Sequence, residues 1–578
     1  MIEHDNPLIV QSDRTVLLEV ASPKAGDARA ALARFAELET SPEHVHTYRI
    51  TPLSLWNAAA ADVGPDDVAV TLTTYSKYPV PDAVLTDIRD EMARYGRVRL
   101  VRDFDSGGLA LTSPEVALLE EVRRDAEVAE LLGDRLDGNR FAVRLADRGV
   151  LKQALLRLGW PAADEAGYVD GAPLDLGLTC QLRTYQSDAV AAWWADGSSA
   201  GGNGVLVLPC GAGKTVIGMA ALAQTASNTL ILTTSITAAR QWIAELIDKT
   251  DLDPRDIGEY SGERKQIRPV TVATYQVMTW RPSREDDEDE DGCADAGAGD
   301  GAGRVIDCDE VVATHPHLAL FDTHDWGMIV YDEVHLLPAP VFRATARIQA
   351  TRRLGLTATL VREDGKASDV FSLIGPKRYD APWRELEMQG WIAPASCTEV
   401  RVALEDEERM AYAVAPAQQR YRVAATTAHK LDVLERLVAG HAGDRILVIG
   451  QYLEQLRTVA DHLDAPLITG QTGQATREAR FAAFRDGELD VLVASKVANF
   501  AIDLPDANVA IQLSGTFGSR QEEAQRLGRL LRPKADGGMA HFYAVVARDT
   551  VDQQFAAKRQ RFLTEQGYGY TILDADDV

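Results

Sequence analysis

The sequence predicts an α/β protein with two parallel-sheet domains, preceded by a mixed α/β N-terminal region. Three observations predict it. The apolar run Gly204-Val-Leu-Val-Leu208 leads through Pro209-Cys-Gly-Ala-Gly-Lys-Thr215 into Val216-Ile-Gly-Met-Ala-Ala-Leu222, which is strand, glycine-rich turn and helix. A second apolar run, Trp326-Gly-Met-Ile-Val-Tyr331, reads as a buried parallel strand and ends on Asp332-Glu-Val-His335. From residue 445 onward strand and helix patterns alternate again, without another glycine-rich loop.

The elements follow in order. Residues 1–95 form an N-terminal helical or α+β domain, with a strand over Thr15–Val20 and a helix over Asp27–Leu38. Helix starts are signalled at Ser41-Pro-Glu43 and Thr51-Pro-Leu53. Residues 96–175 form a small α/β domain. Its hairpin pairs Arg97–Phe104 with Leu109–Thr112 around Asp105-Ser-Gly-Gly108, and a helix over Pro114–Leu132, a strand over Arg140–Leu145 and a helix over Arg148–Leu158 follow. Residues 176–375 carry the first strand–helix alternation. Within it, 282–313 holds seven consecutive acids (Glu285–Asp291) and a Gly/Ala/Asp run, a composition that cannot bury a core and predicts disorder. Residues 376–430 are expected to be a mostly helical, polar insertion. Residues 431–578 form the second parallel-sheet domain, with strands over 446–450, 466–470, 490–495, 507–513 and 540–546 and helices over 454–463, 474–485 and 519–531.

The chemistry sits at the ends of two of these strands. Gly211 and Gly213 let backbone N–H groups turn onto phosphate oxygens at a helix N-terminus, within a loop that also includes Pro209, Cys210 and Ala212. Lys214 reaches the outer phosphates and the Thr215 hydroxyl can ligate Mg²⁺. Leu208 stands where such loops usually begin with a small residue. Asp332 fits the second Mg²⁺ ligand, and Glu333 the group that orients and deprotonates an attacking water. Loop and acid pair together indicate hydrolysis of a nucleotide. In the second domain, Arg529 and Arg532 lie three apart on one predicted helix face, where they can offer positive charge to a transferring phosphoryl group.

Bulk properties bound the rest. With 578 residues the chain should contain several domains. No apolar run approaches the ~18 residues of a membrane span, so no membrane partner is expected. The first residues lack a basic segment and an apolar segment, so no secretory signal is expected. Five cysteines without Cys-x-x-Cys spacing suit a reducing cytoplasm and argue against a zinc or iron–sulfur site. The net charge of −27 runs against the basic stripes of a nucleic-acid binder, but net charge governs solubility and steering and leaves a local groove free to be basic. Arginine far outnumbers lysine, which suits both a salt-adapted cytoplasm and a GC-rich genome.

The motif set resembles that of superfamily-two helicases, and specifically the XPB-type DNA repair helicases in their bacterial or archaeal form. The residues that carry the resemblance are Leu182-Arg-Thr-Tyr-Gln186, the phosphate loop, Ala239-Arg-Gln-Trp242, Asp332-Glu-Val-His335, Gly355-Leu-Thr-Ala-Thr359, Arg362-Glu-Asp364, Ile502-Asp-Leu-Pro505 and Gln525–Arg532. The likeness covers nearly the whole chain, including Pro7–Asp13 and His46–Trp56.

The resemblance implies two RecA-like motor domains with ATP and Mg²⁺ as cofactors. Arg183 and Gln186 would recognise adenine, and Asp503 would join the ATP-binding set. Gln525 would contact the nucleotide or its attacking water beside Arg529 and Arg532. Arg240, Gln241, Trp242, Thr274, His335, Thr357 and Thr359 would serve DNA contact or coupling, with Trp242 a possible stacking surface. Arg362, Glu363 and Asp364 would form a short motif associated with unwinding. Residues 96–175 would be similar to a damage-recognition domain and 376–430 to a DNA-gripping thumb.

The implied activity is ATP-dependent 3′→5′ unwinding of single-stranded or forked DNA in nucleotide excision repair, with a repair nuclease as a further partner. A double-stranded DNA translocase that remodels protein–DNA complexes is the alternative. A scaffold whose ATPase has decayed is a third reading, against which Lys214, Asp332, Glu333, Arg529 and Arg532 all stand.

Overall fold

A computed structural model describes residues 3–41, 44–104, 107–209, 211–281, 314–321, 324–349, 351–358, 367–381, 386, 395–495, 507–515, 539–565 and 570–578. The acidic segment 282–313 and the expected helix 519–531 lie outside the described residues. Contacts divide the chain into two units. One comprises 1–92, 207–214 and 380–578, the other 93–206 and 215–379.

The first unit opens with β1 (Leu8–Val10), β2 (Thr15–Glu19), β3 (Glu37–Thr40) and β4 (Val45–Arg49) in an antiparallel sheet of order β1-β2-β4-β3. It is backed by helices α1 (Ala25–Leu32), α2 (Pro52–Ala60), α3 (Pro65–Tyr75) and α4 (Asp82–Met92). Leu8, Val16, Leu18, Leu55, Leu72 and Ile88 meet in its core. The Thr51 side chain caps α2 as the sequence predicts, accepting from the Ser54 N–H at 3.0 Å. Two expectations fail here. The helix over 27–38 ends at Leu32, because Glu37-Leu-Glu-Thr40 alternates and pairs as β3. The start signal at Ser41 leads into β4, not a helix.

The second unit opens with β5 (Arg99–Arg102), β6 (Leu109–Thr112), β7 (Leu132–Asp137), β8 (Arg140–Val143) and β9 (Ala163–Glu165), ordered β7-β8-β6-β5-β9. The helix expected over 114–132 is two, α5 (Val116–Val122) and α6 (Ala126–Leu131). Asp125 interrupts it by capping α6, accepting from the Val128 N–H at 3.1 Å. Helix α7 (Arg148–Arg157) completes this part.

After α8 (Thr184–Trp194) come β10 (Asn203–Val207), α9 (Lys214–Thr225), β11 (Thr229–Thr233), α10 (Ile236–Lys249), β12 (Ile257–Tyr260), β13 (Val270–Thr274), α11 (Tyr275–Met278), β14 (Met328–Asp332), β15 (Arg352–Thr357) and β16 (Lys377–Asp380). The seven strands form one sheet of order β12-β13-β11-β14-β15-β10-β16. Strands β10, β11 and β13 are buried at every residue, as continuous apolar runs in a two-sided parallel sheet require.

Within this second unit, a buried polar cluster ties the small five-stranded sheet to the seven-stranded one. Asp164 of β9 receives Arg148 Nη2 at 2.7 Å and Lys152 Nζ at 3.0 Å, both from α7. Lys152 also donates to Gln349 Oε1 at 2.8 Å, and Gln349 Nε2 donates to the carbonyls of Thr345 and Leu373. Gly149 permits the approach, since a Cβ there would lie 2.6 Å from the Ala346 carbonyl oxygen.

The other seven-stranded sheet, in the first unit, is built from β17 (Ala395–Val402), β18 (Ile446–Gly450), β19 (Leu467–Ile468), β20 (Val491–Ser495), β21 (Val509–Gln512), β22 (Ala540–Ala547) and β23 (Tyr570–Asp574), ordered β19-β20-β18-β21-β22-β17-β23 and all parallel. Strand β17 corrects the expectation that 376–430 is a helical insertion. Its polar Glu399 and Arg401 disguise a strand, because they pair with each other at 2.8 Å while Cys397, Val400 and Val402 enter the core. This sheet therefore begins before residue 431. Helices Asp406–Val414 and Ala417–Ala425 follow β17.

Two predictions follow from these buried charges. Lys430 and Asp552 are 0% and 1% exposed and 2.7 Å apart, so Lys430→Met strands a buried carboxylate. Chemical denaturation should show a loss of about 3–5 kcal/mol from that unit. Burial pushes Lys152 down to about 7, with Arg353 and Arg148 adding to the effect and Asp164 opposing it. A lysine depressed in the folded state binds fewer protons there than in the unfolded chain, so stability rises with pH from about 7 upward. The Tm difference between wild type and Lys152→Met should therefore shift in favour of wild type between neutral and alkaline pH.

Candidate active site

The glycine-rich loop leaves the carboxyl end of β10 and enters α9 at Lys214 and Thr215. Gly211 and Gly213 adopt φ of +85° and +76°, the left-handed region that side chains resist. Leu208, the departure from the usual small residue, is fully buried and anchors the loop to the core.

Asp332 is the last residue of β14, whose parallel register with β15 sets it opposite Leu356. Trp242 and Tyr275 both bond to it. The Trp242 indole Nε1 donates to Asp332 Oδ2 at 2.9 Å, and the Tyr275 hydroxyl donates to the Asp332 carbonyl at 2.9 Å. Glu333 follows with φ +50° and ψ 56°, a left-handed backbone conformation just past the end of the strand. His335 Nδ1 lies 2.7 Å from Thr357 Oγ1 at the end of β15 and 3.5 Å from Glu333 Oε2. Asp332, Glu333, His335 and Thr357 thus share the carboxyl ends of two adjacent strands, where parallel sheets place ligands.

The other expected residues stand as follows. Arg183 precedes α8, and its N–H donates to Gln186 Oε1 at 3.0 Å, so the buried Gln186 amide caps its own helix. Arg240 and Gln241 are exposed on α10. The Arg240 guanidinium is held by Glu259 at 3.2 and 3.3 Å and by Glu263 at 2.5 Å, and these bonds raise its pKa further. Trp242 is 2% exposed and turned inward, so its ring offers no stacking surface. Thr274 is buried and caps α11, accepting from the Val277 N–H at 3.3 Å. Cys210, Thr359, Arg362, Glu363, Asp364, Asp503, Gln525, Arg529 and Arg532 lie outside the described residues.

Sequence reasoning missed that Tyr275 and Trp242 both bond to Asp332. Tyr275 begins α11 and Trp242 lies midway along α10, and only the fold brings their polar tips to Asp332. Among the described residues no three His, Cys, Asp or Glu side chains cluster as a metal cage. Mg²⁺ takes one or two carboxylates, substrate phosphates and water. The Thr215 hydroxyl and Asp332 carboxylate are the hard oxygen donors it prefers.

Gly213→Ala should place a Cβ in the left-handed region at a cost of ~1–2 kcal/mol, lowering affinity for ADP about tenfold by calorimetry with the fold intact.

Comparison with known proteins gives the following. A family model described as the ERCC3/RAD25/XPB C-terminal helicase matches residues 386–577. One described as the type III restriction enzyme res subunit matches 179–362, and one described as a helicase conserved C-terminal domain matches 8–137. The chain is 57% identical over 577 residues to a protein of Kineococcus radiotolerans named DNA 3′-5′ helicase XPB, covering 99% of this chain and 97% of that one. A Mycobacterium tuberculosis protein of the same name is 57% identical, with 99% of each chain covered. A protein of Antonospora locustae named general transcription and DNA repair factor IIH helicase/translocase subunit XPB is 32% identical, covering 98% of this chain and 82% of that one.

Proposed function

The chain belongs to the XPB family of helicases, and from that premise we propose that it is an ATP-dependent DNA helicase of 3′→5′ polarity acting in nucleotide excision repair. The observation that carries the reading is a phosphate loop after β10 and an Asp-Glu pair after β14, both strands of one parallel sheet, in a chain similar over 99% of its length to proteins named DNA 3′-5′ helicase XPB.

The roles of the phosphate loop, the Asp-Glu pair and the two arginines rest on their chemistry, and those of the other residues on the family likeness. The loop N–H groups and Lys214 would bind and neutralise the outer phosphates of ATP. Thr215 and Asp332 would hold Mg²⁺, whose contribution is to offset phosphate charge. Glu333 would take the proton from the attacking water at its carboxylate. Arg183 and Gln186 would read adenine, with Asp503 in the same ATP-binding set. Gln525, Arg529 and Arg532 would orient the water and stabilise the transition state, where such arginines contribute ~10³–10⁵ in turnover. Thr357 and His335, with Thr359, would couple the site to DNA, and Arg362-Glu-Asp364 would aid strand separation.

The surroundings belong to the same reading. Residues 96–175 would sense damage and the helices after β17 would grip DNA. A nuclease that cuts near the unwound lesion is the partner class such an activity calls for. Five scattered cysteines support a reducing, cytoplasmic location.

ATP-driven strand displacement on duplexes with a 3′ or a 5′ tail tests the proposal, and displacement from the 3′ tail alone is expected. ATP consumption stimulated by duplex with no displacement from either tail would instead identify a translocase, a reading favoured by the words "helicase/translocase" in the name of the Antonospora relative. Glu333→Gln should keep ATP binding and lose hydrolysis by at least ~10²-fold, since it removes the base and spares Asp332. Wild-type turnover from that variant would overturn the assignment.

A further inference from the structure

Helix α10 carries three neighbouring side chains with opposite destinations. Arg240 and Gln241 face solvent, and the next residue, Trp242, runs inward to the carboxylate of Asp332 at 2.9 Å. The indole has only one place to go. Its far edge sits over Gly218 of α9, where a Cβ would lie 2.5 Å from Cη2 and 3.3 Å from Cζ3. The ring is therefore wedged between the helix that begins with Lys214 and Thr215 and the strand that ends in Asp332. An N–H donor fixed by such packing selects one carboxylate rotamer and satisfies one of its oxygens.

We propose that Trp242 is a positioning residue that sets the metal-binding carboxylate and makes it sensitive to what occupies the outer face of α10. The proposal rests on the reading of Asp332 as a Mg²⁺ ligand. Residues 236–249 form one uninterrupted helix, so a displacement of the Arg240–Gln241 face is carried to the adjacent indole. The outer face has its own movable contact. The Arg240 guanidinium is shared between the buried Glu259 and the exposed Glu263, and a nucleic-acid phosphate arriving there competes with Glu263 for the same donors. The outward pair thereby senses a polyanion and the inward indole alters the Asp332 geometry. The coupling is reciprocal, so Mg²⁺-nucleotide and nucleic acid should strengthen or weaken each other's binding by one common factor.

The test is calorimetric binding of ADP to the full-length protein, with Mg²⁺ and with EDTA, each with and without a single-stranded oligonucleotide. Trp242→Phe keeps an aromatic ring but deletes the N–H together with the five-membered half of the indole. It should reduce the gain in ADP affinity that Mg²⁺ confers by ~10–100-fold, leave the affinity in EDTA unchanged, and abolish the effect of the oligonucleotide on the Mg²⁺-dependent part. A Trp242→Phe protein with the wild-type ratio of the two affinities and the wild-type oligonucleotide effect would overturn the proposal. Should that variant fail to fold, Gly218→Ala tests the same point by pushing the ring aside with its N–H intact, and an unchanged ratio there overturns it equally. If the wild-type protein itself shows no Mg²⁺-dependent gain, the assignment of Asp332 falls and this inference with it. If wild type shows the gain and both variants retain it, only the role of Trp242 falls.

Discussion

The position of Asp332 depends on the parallel register of β14 between β11 and β15. Met328 to Asp332 pair with Arg352 to Leu356 on one side, and Met328 to Tyr331 with Thr229 to Leu232 on the other. Parallel strands end on the same edge, so their last residues become neighbours without being neighbours in sequence. That register puts Asp332, Glu333, His335 and Thr357 within one small region. It also explains the burial of everything beneath: Ile329, Val330 and Tyr331 are sealed, and the first residue free of the core is the acid. A slip of one residue would turn Asp332 into the sheet and leave an unpaired carboxylate in apolar surroundings, a cost that selects the observed pairing.

The same strand reaches the small sheet. The Tyr331 hydroxyl lies 3.0 Å from Thr345 Oγ1, Gln349 bonds back to the Thr345 carbonyl, and Lys152 of α7 bonds to Gln349. Arg148, Lys152 and Arg353 outnumber the lone carboxylate of Asp164 in this buried cluster. Burial alone would raise the Asp164 pKa, yet Lys152 and Arg148 hold it well below the usual carboxylate range. Buried ion pairs of this kind contribute specificity of docking more than net stability, because desolvation offsets most of their attraction. The small sheet is fastened in this way to the sheet that bears Asp332.

What was legible in the sequence follows from what each signal needs. The strand–loop–helix at 204–222 and the strand ending at Asp332 were legible because two-sided burial writes itself as an uninterrupted apolar run. Thr51 announced α2 because a cap is a local interaction. Strand β17 was not legible, since its alternating Glu399 and Arg401 neutralise each other and Glu399 takes a further bond from Tyr570, a residue 171 positions away. Asp125 split a predicted helix by a side-chain bond that competes with the backbone. Trp242, a possible stacking surface in sequence, is buried although its neighbours Arg240 and Gln241 are exposed. Helical periodicity of 3.6 residues turns the next position inward, and the empty volume over Gly218, far away in sequence, receives it.

The net charge of −27 is the remaining physical tension, and the surroundings of Arg240 offer one way for it to be resolved. At Arg240 the acids work on a local scale: Glu259 is 2% exposed and cannot leave, whereas Glu263 is 60% exposed and can. The guanidinium is therefore held in a fixed orientation by the buried acid while its second partner is exchangeable with solvent anions. A nucleic-acid phosphate that replaces Glu263 gains a pre-oriented donor at a small cost, because an exposed ion pair contributes only ~0–1 kcal/mol. The exposed acids elsewhere oppose only the long-range approach, and salt screens that opposition within about 8–10 Å. If Arg240 is such a contact, a polyanion would be held through a few ordered donors instead of a broad basic field, and its affinity should fall with salt less steeply than that of a protein covered in lysine.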